Sequence, residues 1–510
     1  MEGVININKL LISSVFLIFI ILSVPINLRT TIIQSIYPFQ LTNSSNVSGQ
    51  VFNPDLIITD GTIITMEPDG LSYTSLAVKG DLISEVTNDT LTDAVYDDQT
   101  KTILLGGRTI LPGFIDSHSH WIGDRDRIGL NVDEVINMAL GYGWTTISEQ
   151  FVNQERLSEL ISLDVEDRLK LRVNAYLPIN YQEQRFGEWY QAYQPNEEVS
   201  DKVRIAGVKL FMDNGPYFSN VERNHWFTPE ELNPIVKTAN DLGFQISIHS
   251  FIDNATDTAL NAIEEAQGDN SQRQYRHRIE HASFLRDDQL LRLDQMNVIV
   301  SAQLLWYSSD WAEDIITDTA GDPTPDLLTL IARWRDAINQ GLTFIGSTDT
   351  PWGLSEDLGN AIKALYTVTT RIGEEDLIPP QWMLDQRITI KEALMSITID
   401  GAYGTFQEDE KGSIRENKLA DFVVLSGNPL EMQPEDLLDL SVAMTIVGGE
   451  VVYCAEGLEA MCDGTYQIDQ STNSDSTTSS TNVAISTYFP YLLIFVILKR
   501  KIALGIDRRK

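Results

Sequence analysis

The sequence contains little positive charge. Its 510 residues include 37 lysines and arginines against 73 aspartates and glutamates, which gives a formal net charge of −36 at pH 7. A nucleic-acid-binding surface needs a basic face, because it has to neutralise phosphates. The charge balance therefore argues against nucleic acid as a partner.

The sequence also lacks the glycine-rich loops that bind phosphate in nucleotide-binding proteins. No G-x-G-x-x-G or Walker pattern follows any strand-like segment, and no internal repeat is present. Open, doubly wound α/β sheets normally carry such a loop. The absence of this loop argues against an open, doubly wound sheet. That sheet is the alternative to the closed barrel, which the strand pattern described below favours.

Cysteine is scarce, since Cys454 and Cys462 are the only two in the chain. They lie eight positions apart, beyond the last strand-like segment. A disulfide between them is predicted if the body lies outside the cytoplasm, because oxidising compartments preserve such bonds. Two free thiols are the alternative.

Both ends of the chain resemble membrane or export segments. Residues 10–28 carry no charge and nearly reach the length of a spanning helix, so residues 1–30 are predicted to be a signal peptide or an uncleaved anchor. An apolar run at 491–498 precedes a basic tail, as the positive-inside rule expects. These segments predict a membrane-anchored protein with its body outside the cytoplasm, and a secreted protein is the alternative.

Short β patterns occur at both ends of the body, at 55–110 and again at 411–426 and 442–453. Neither block is able to bury a core alone, so together they predict a small β-sandwich assembled from both ends of the chain. The predicted organisation is a signal or anchor segment (1–30), the first part of the sandwich (51–112), a barrel (113–405), the second part of the sandwich (406–455), a Ser/Thr-rich stalk (456–482) and a C-terminal membrane segment with a basic tail (483–510).

Between the two blocks, eight strand-like apolar runs alternate with helical stretches. This alternation predicts a parallel sheet, and the count of eight favours a (β/α)8 TIM barrel. The predicted fold class is therefore α/β, with the composite sandwich attached to the barrel. The runs are GFIDSHSH, WTTISEQ, LRVNAYL, IAGVKLFMDN, FQISIHS, RHRIEH, NVIVSAQ and LTFIGSTD.

The first of these runs ends in two histidines, His118 and His120. Residues two apart in a strand project from the same face, so both imidazoles point to one place. Two neutral imidazoles held in this way form half of a metal site. Alone, the pair is explained about equally well as ordinary polar residues at the end of a strand.

Four further residues that can bind metal occupy the ends of other strands. Active residues of a barrel lie at the carboxyl ends of its strands, and these positions hold Lys209, His249, His281 and Asp349. The lysine is unusual, because a buried ammonium is costly unless it is paired. One interpretation pairs Lys209 with Asp213 or another carboxylate. In the other, Lys209 loses its proton, reacts with carbon dioxide and bridges two cations as a carbamate.

The order HxH, VKLFMD, IH, RIEH and STD resembles that of the amidohydrolase superfamily of metal-dependent hydrolases. It is most similar to the YtcJ-like branch, amidohydrolase family 3, which includes N-substituted formamide deformylases. Flanking segments such as GGRTILPGFIDSHSH, HRIEHASFLRDDQLLRL and GSTDTPW agree, and the resemblance extends from about Asp55 to Tyr453. It implies a barrel with a composite sandwich, one or two zinc ions per chain, and hydrolysis of an amide or related C–N bond.

The resemblance also implies a role for each metal-competent residue. It assigns the more buried cation to His118, His120 and Asp349, and makes Lys209 a carbamate that bridges to a second cation on the histidines of IH and RIEH. A hydroxide between the cations would attack the scissile carbonyl, and Asp349 would pass its proton to the leaving nitrogen. Zinc suits these ligands best, with iron, manganese or nickel as alternatives.

Other polar residues near these motifs receive lesser roles. His277 is predicted to lie in the core or beside a ligand, and His225 on a surface loop. Asp116 is predicted to orient a ligand or cap a turn, and Asp213 to form a salt bridge near the site. Glu280 is predicted to face away from the neighbouring histidine and to bond to nearby backbone.

The chain departs from the family's pattern in two places. The stretch between His120 and Lys209 is shorter than in family members, and Asn254 follows Asp253 where a basic residue is common. These changes leave the metal ligands intact, but they affect the part of the chain that shapes the substrate pocket in the family. Formamide specificity is therefore not carried over.

The sequence thus predicts a metal-dependent hydrolase that acts on a carbon–nitrogen bond other than a peptide bond. A single-metal deaminase of the same superfamily and a surface-anchored binding protein that keeps the barrel as a scaffold are the alternatives. The expected partners are a small-molecule substrate of the amide type and the membrane, with no nucleic acid, and a homodimer is left open.

Overall fold

The structure is a computed structural model that describes residues 53–89, 91, 100–213, 226–268, 275–311, 328–352 and 359–465. The predicted terminal segments at 1–30 and 483–510, most of the predicted stalk and His225 lie outside these ranges. Within the described ranges, no helix combines the length and the apolar character that crossing a membrane requires.

Eight parallel strands form one sheet and follow each other in chain order. Every one of the eight predicted runs contributes one of these strands, so the predicted α/β barrel is confirmed. From the first barrel strand to the eighth, they are Phe114–Ser119, Trp144–Glu149, Arg172–Pro178, Val203–Phe211, Gln245–Ser250, Arg278–His281, Ile299–Gln303 and Phe344–Ser347.

Backbone hydrogen bonds join the carboxyl ends of the first and eighth barrel strands. The amide of Asp349 donates to the carbonyl of His118 at 2.8 Å, and the amide of His120 donates to the carbonyl of Thr350 at 2.7 Å. The side chain of Asp116 strengthens this seam, because it accepts from the Thr348 amide at 3.0 Å and from the Thr348 hydroxyl at 2.6 Å. The closure brings the two histidines of HxH beside Asp349.

Helices cover the outside of the barrel, and several begin at capping boxes. Asn131 caps with Glu134, and Thr228 caps with Glu231, so the first free amides of these helices are satisfied locally. Their apolar faces pack on the barrel in one large buried core. The helices around the barrel are Val132–Gly141, Gln154–Val165, Pro229–Asp241, Asp253–Gln267, Asp287–Gln295, Trp334–Gln340, Ala361–Thr370, Gln381–Leu384, Ile390–Ser396 and Ile399–Tyr403.

Two further sheets form the sandwich. One has four strands, in the spatial order Leu82–Thr87, Ser75–Lys79, Leu56–Thr59 and Lys101–Leu104. The other has six, in the order Glu450–Cys454, Val442–Val447, Phe422–Leu425, Thr109–Pro112, Thr62–Ile64 and Ser72–Tyr73.

The six-stranded sheet unites the two ends of the body. Phe422–Leu425 pairs antiparallel with Thr109–Pro112, across more than 300 positions of sequence, and residues from both blocks share one buried core. The composite sandwich is therefore confirmed. The predicted disulfide is also present. It joins Cys454 to Cys462, the last residue of the short helix Glu459–Cys462.

Charged residues are buried where the sandwich meets the amino-terminal end of the barrel. Arg172 makes two hydrogen bonds to Asp421, at 2.8 and 3.0 Å, and the amide of Gly448 donates to the same carboxylate. Lys411 lies nearby with 3% of its surface exposed, and donates to the Thr146 hydroxyl at 3.3 Å. Burial lowers the pKa of Lys411 to about 7, because the charged ammonium loses its hydration.

Candidate metal centre

The structure brings all six sequence-predicted side chains to the carboxyl end of the barrel. His118, Lys209, His249 and His281 belong to the first, fourth, fifth and sixth strands, His120 directly follows the first strand, and Asp349 lies two positions beyond the eighth. A parallel barrel places these strand ends in one rim. The six are His118, His120, Lys209, His249, His281 and Asp349.

Three of these residues form a compact cluster of ligand atoms. Oδ1 of Asp349 lies 3.2 Å from Nε2 of His118 and 3.4 Å from Nε2 of His120. Ligand atoms held at 2.0–2.1 Å around a tetrahedral zinc ion are about 3.3 Å apart. All three side chains are buried, and within the described ranges their candidate ligand atoms lie within 4.8 Å of one another. The cluster therefore has the dimensions of a site for one cation.

The protonation of this cluster also suits a cation. Oδ1 of Asp349 and Nδ1 of His120 are buried without a hydrogen-bond partner among the described residues. Burial lowers the pKa of His120 to about 3, so its ring is neutral. Burial raises the pKa of Asp349, but the nearby His118 and His120 more than offset this, and the net pKa lies below the ordinary value. A neutral imidazole and an ionised carboxylate are the forms that bind metal.

Glu280 fixes the tautomer of His118, and the prediction that Glu280 bonds to nearby backbone is wrong. Its Oε2 lies 2.6 Å from Nδ1 of His118. Burial raises the pKa of Glu280, but Arg278 and His118 hold it well below the ordinary value. The ionised carboxylate can only accept, so Nδ1 of His118 carries a proton and Nε2 is the nitrogen that faces Asp349 and remains for a cation.

Because of the backbone at the end of the sixth strand, Glu280 and His281 both face the site although they are adjacent in sequence. His281 has a φ of +71° and Ala282 a φ of +44°. The regular alternation of side chains therefore ends at His281, and the glutamate and the histidine both reach the barrel's interior. Sequence reasoning missed this role because it assumed an ideal strand. The available signal was Arg278, two positions earlier on the same face, which pairs with Glu280 at 2.6 Å.

His249 and His281 form a second pair. Nδ1 of His249 lies 2.9 Å from Nε2 of His281, and Nδ1 of His281 lies 2.7 Å from the amide oxygen of Gln303. Because that amide oxygen can only accept, Nδ1 of His281 donates to it and Nε2 is left as the acceptor for His249. If the His249 proton moved from Nδ1 to Nε2, which lies 3.3 Å from Oδ1 of Asp213, one lone pair on each ring would be left for a second cation.

Lys209 lies between the two groups of ligands. It is completely buried, and its Nζ lies 3.5 Å from Nε2 of His118. Burial lowers the pKa of Lys209 to about 8, although the carboxylates of Glu280 and Asp349 favour the charged form. The two interpretations of this lysine, an ammonium held by carboxylates and a carbamate precursor, both find support in these surroundings.

The remaining polar residues support the ligands. Oδ1 of Asp213 lies 3.3 Å from Nε2 of His249, and its Oδ2 accepts from the amides of Phe251 and Ile252. His277 is buried in the core, where its Nδ1 accepts from the Ile246 amide. Asp116 serves the strand seam, as described above, and so positions the loop that carries Asp349.

Comparison of the sequence with protein families gives one match that covers more than half of the chain. Residues 124–453 match the family described as the amidohydrolase family. The matched range contains Lys209, His249, His281 and Asp349 and begins just after HxH.

Curated relatives are similar over part of their length. Putative amidohydrolase YtcJ of Bacillus subtilis is 25% identical over 49% of this chain and 47% of its own. N-substituted formamide deformylase of Arthrobacter pascens is 23% identical over 50% of this chain and 47% of its own. Protein LONG AFTER FAR-RED 3 of Arabidopsis thaliana is 27% identical over 51% of this chain and 45% of its own. The chain thus matches about half the length of these relatives.

Solved structures share the fold. An uncharacterised metal-dependent hydrolase of Pyrococcus horikoshii has a TM-score of 0.60 at 20% identity, and the match covers 74% of this chain and 99% of that one. A Xaa-Pro dipeptidase with bound methionine has a TM-score of 0.56 at 18% identity over 78% of this chain and 100% of its own. Identities this low establish the architecture and leave the substrate open.

Proposed function

The chain belongs to the amidohydrolase family, and from this premise we propose that its metal-dependent hydrolytic chemistry acts on the C–N bond of an amide, a cyclic amide, or an N-acyl or N-formyl amine. The single observation that carries the proposal is the cluster of His118, His120 and Asp349, whose buried ligand atoms have the spacing of a cation site. The names of relatives such as the formamide deformylase support the choice of bond.

The proposed cofactor is zinc, one or two ions per chain, with other divalent metals as alternatives. His118, His120 and Asp349 would hold the first ion, and His249 and His281 the second, with Lys209 as a carbamate between them. The burial of Lys209 and its 3.5 Å distance from His118 support that bridging position. A divalent cation at this site lowers the pKa of water toward neutrality and polarises a carbonyl oxygen.

The chain's own residues would supply orientation and proton transfer. Glu280 holds the imidazole of His118 with its lone pair toward the cluster. Asp349 is ionised. Its Oδ1 faces His118 and His120 and would bind the cation, so the other carboxylate oxygen would accept the proton of the attacking water. The protonated Asp349 would then deliver the proton to the leaving nitrogen, which makes it the general base and then the general acid.

The test is hydrolysis of a panel of N-acyl and N-formyl amines by the zinc-loaded protein. We expect turnover that disappears on treatment with a chelator and falls at least 100-fold in Asp349→Asn, as loss of a general acid–base group predicts. Asp439→Asn, a change in the short turn Pro434–Asp439, is the matched control. Turnover that survives in Asp349→Asn would contradict the assigned role.

A single-metal deaminase is the second candidate, because the compact cluster contains ligands for one cation and His249 bonds directly to His281. Two metal ions per chain and no release of ammonia from aminated heterocycles would favour the amide hydrolase. One ion and ammonia release would favour the deaminase. A fully metallated protein with no turnover on either panel would favour a binding protein on this scaffold.

The location of the protein outside the cytoplasm, with the terminal segments as membrane anchors, stays a proposal. The disulfide between Cys454 and Cys462 supports it, since such bonds persist mainly in oxidising compartments.

A further inference from the structure

We propose that the mouth of the barrel binds an aromatic group of the substrate against a set of aromatic rings beside His249. This inference rests on the proposed hydrolase function and names its substrate class. The set, called the aromatic wall, consists of Phe151, Tyr181, Phe186 and Phe211.

The aromatic wall is built from the carboxyl ends of three neighbouring barrel strands. Phe151 follows the second strand, and Phe211 is the last residue of the fourth. Tyr181 belongs to a small hairpin, Asn180–Tyr181 paired with Gln184–Arg185, that follows the third strand, and Phe186 comes directly after this hairpin. The rings therefore lie on the same face of the barrel as the candidate metal centre.

The four rings contact one another edge to face. Ring centroids of Phe151 lie 5.6 Å from Tyr181, 5.5 Å from Phe186 and 6.3 Å from Phe211, and those of Tyr181 and Phe211 are 5.3 Å apart. Angles between these ring planes range from 63° to 89°. Such packing is the preferred arrangement of aromatic pairs, so the wall is an ordered surface rather than a set of isolated side chains.

A buried asparagine fixes the wall to the strand that carries Lys209. The side-chain oxygen of Asn180 accepts from the Phe211 amide at 2.9 Å, and its side-chain nitrogen donates to the Phe211 carbonyl at 3.0 Å. These two bonds hold the hairpin, and with it Tyr181, against the fourth strand. The distance between the wall and the metal centre is thereby set by backbone contacts, as a specificity surface requires.

His249, which contacts the aromatic wall, is the most exposed of four candidate ligands. Its side chain is 14% exposed, compared with 1% for His118, 8% for His120 and 6% for Asp349. The ring of Phe211 lies 5.2 Å from that of His249, and Tyr181, further out, is 38% exposed. A substrate that approaches the centre beside His249 therefore meets aromatic surface.

An aromatic substituent is the occupant that this surface fits. Partly exposed rings at the rim of a concave site mark binding surfaces, and a ring of the ligand can continue the edge-to-face packing. The geometry points to an amide-type substrate with an aromatic substituent on the side of His249.

Hydroxamates test this inference by binding alone, because the hydroxamate group chelates the cation whatever its substituent. The probes are acetohydroxamate and a series in which a phenyl ring replaces the methyl group, directly or through one or two methylenes. With the zinc-loaded full chain, calorimetry is expected to give a Kd at least tenfold lower for the best phenyl compound than for acetohydroxamate. In the double variant Phe151→Ala/Tyr181→Ala this ratio should fall to about one, while the Kd of acetohydroxamate stays unchanged.

Tyr73→Ala is the matched control, because Tyr73 packs against the sandwich core and its loss should leave the ratio intact. Equal binding of all hydroxamates to the wild type, or a ratio that survives in the double variant, overturns the inference alone. Failure of every hydroxamate to bind the zinc-loaded protein overturns the proposed metal-dependent function, and the inference with it. A double variant that does not fold is replaced by Tyr181→Ala alone, whose exposed ring makes little core contact, with a fall of at least threefold in the ratio expected.

Discussion

Glu280→Gln tests whether a buried carboxylate orients the metal ligand His118. The two oxygens of Glu280 accept four hydrogen bonds. Oε2 accepts from Nδ1 of His118 at 2.6 Å and from Arg278 at 2.9 Å, and Oε1 accepts from Arg278 at 2.6 Å and from Ser247 at 2.8 Å. Glutamine keeps the shape but replaces one acceptor oxygen with an NH2 donor. If the NH2 group takes the place of Oε2, it faces the donors of His118 and Arg278. If it takes the place of Oε1, it faces the donors of Arg278 and Ser247.

The size of the effects expected in Glu280→Gln follows from the burial of the ion pair. Arg278 and Glu280 are both completely buried, so loss of the carboxylate leaves a guanidinium without its counter-charge in the barrel's interior. Breaking a buried ion pair on one side costs roughly 3–5 kcal/mol. Loss of a partner that orients a metal-binding histidine lowers metal affinity by about 10–100-fold. We expect both effects in Glu280→Gln.

Two measurements separate the effects. Urea unfolding of the metal-free protein gives the change in the free energy of unfolding, and competition with a chromogenic chelator gives the zinc affinity. Glu264→Gln is the matched control, because Glu264 also pairs with an arginine, Arg292 at 2.8 Å, but is 64% exposed. An exposed pair contributes about 1 kcal/mol or less, and this one is far from the candidate ligands.

A Glu280→Gln protein with the wild-type zinc affinity would refute the argument that Glu280 orients His118. A free energy of unfolding no lower than that of Glu264→Gln would refute the argument about the buried charge. The two measurements therefore test the orientation of His118 and the pairing of Arg278 independently.

Three further outcomes are expected. Lys411→Met should remove part of the pH dependence of stability. Burial lowers the pKa of Lys411 to about 7 from 10.5, so between these values only the unfolded chain binds this proton, and the free energy of unfolding of the wild type rises with pH. Urea unfolding at several pH values should show a smaller rise in the variant. Replacing Cys454 and Cys462 with serine should lower the free energy of unfolding by about 2–3 kcal/mol, the cost of opening so short a loop, and reductant should then have no further effect. Lys209→Met should reduce the metal content from two zinc ions per chain to one by elemental analysis, and retention of both ions would contradict a bridging role.

Much of the fold follows from local pattern. Strand-like runs alternate with amphipathic helices, and a parallel connection of this kind is right-handed and repeats until the sheet closes. The first and eighth strands close the barrel through hydrogen bonds between His118, Asp349 and their neighbours. The positions of HxH and STD at strand ends therefore determined in advance that their side chains would meet.

The support around the ligands did not follow from local pattern. Glu280 was expected to bond to nearby backbone, but it contacts His118, Arg278 and Ser247, and the φ of +71° at His281 lets that neighbour face the interior as well. The contact of the hairpin at Asn180 with Phe211, which builds the aromatic wall, also joins segments 31 positions apart. Neither feature has a periodicity that a sequence can display.

The sequence by itself determined the class of fold and the kinds of ligand, because strand and helix periods and the chemistry of histidine, lysine and aspartate are properties of short segments. Only the tertiary structure decided which nitrogen of His118 faces the cluster and which rings lie beside His249. These depend on distances between segments far apart in the chain, and such distances are set by the curvature and closure of the whole barrel.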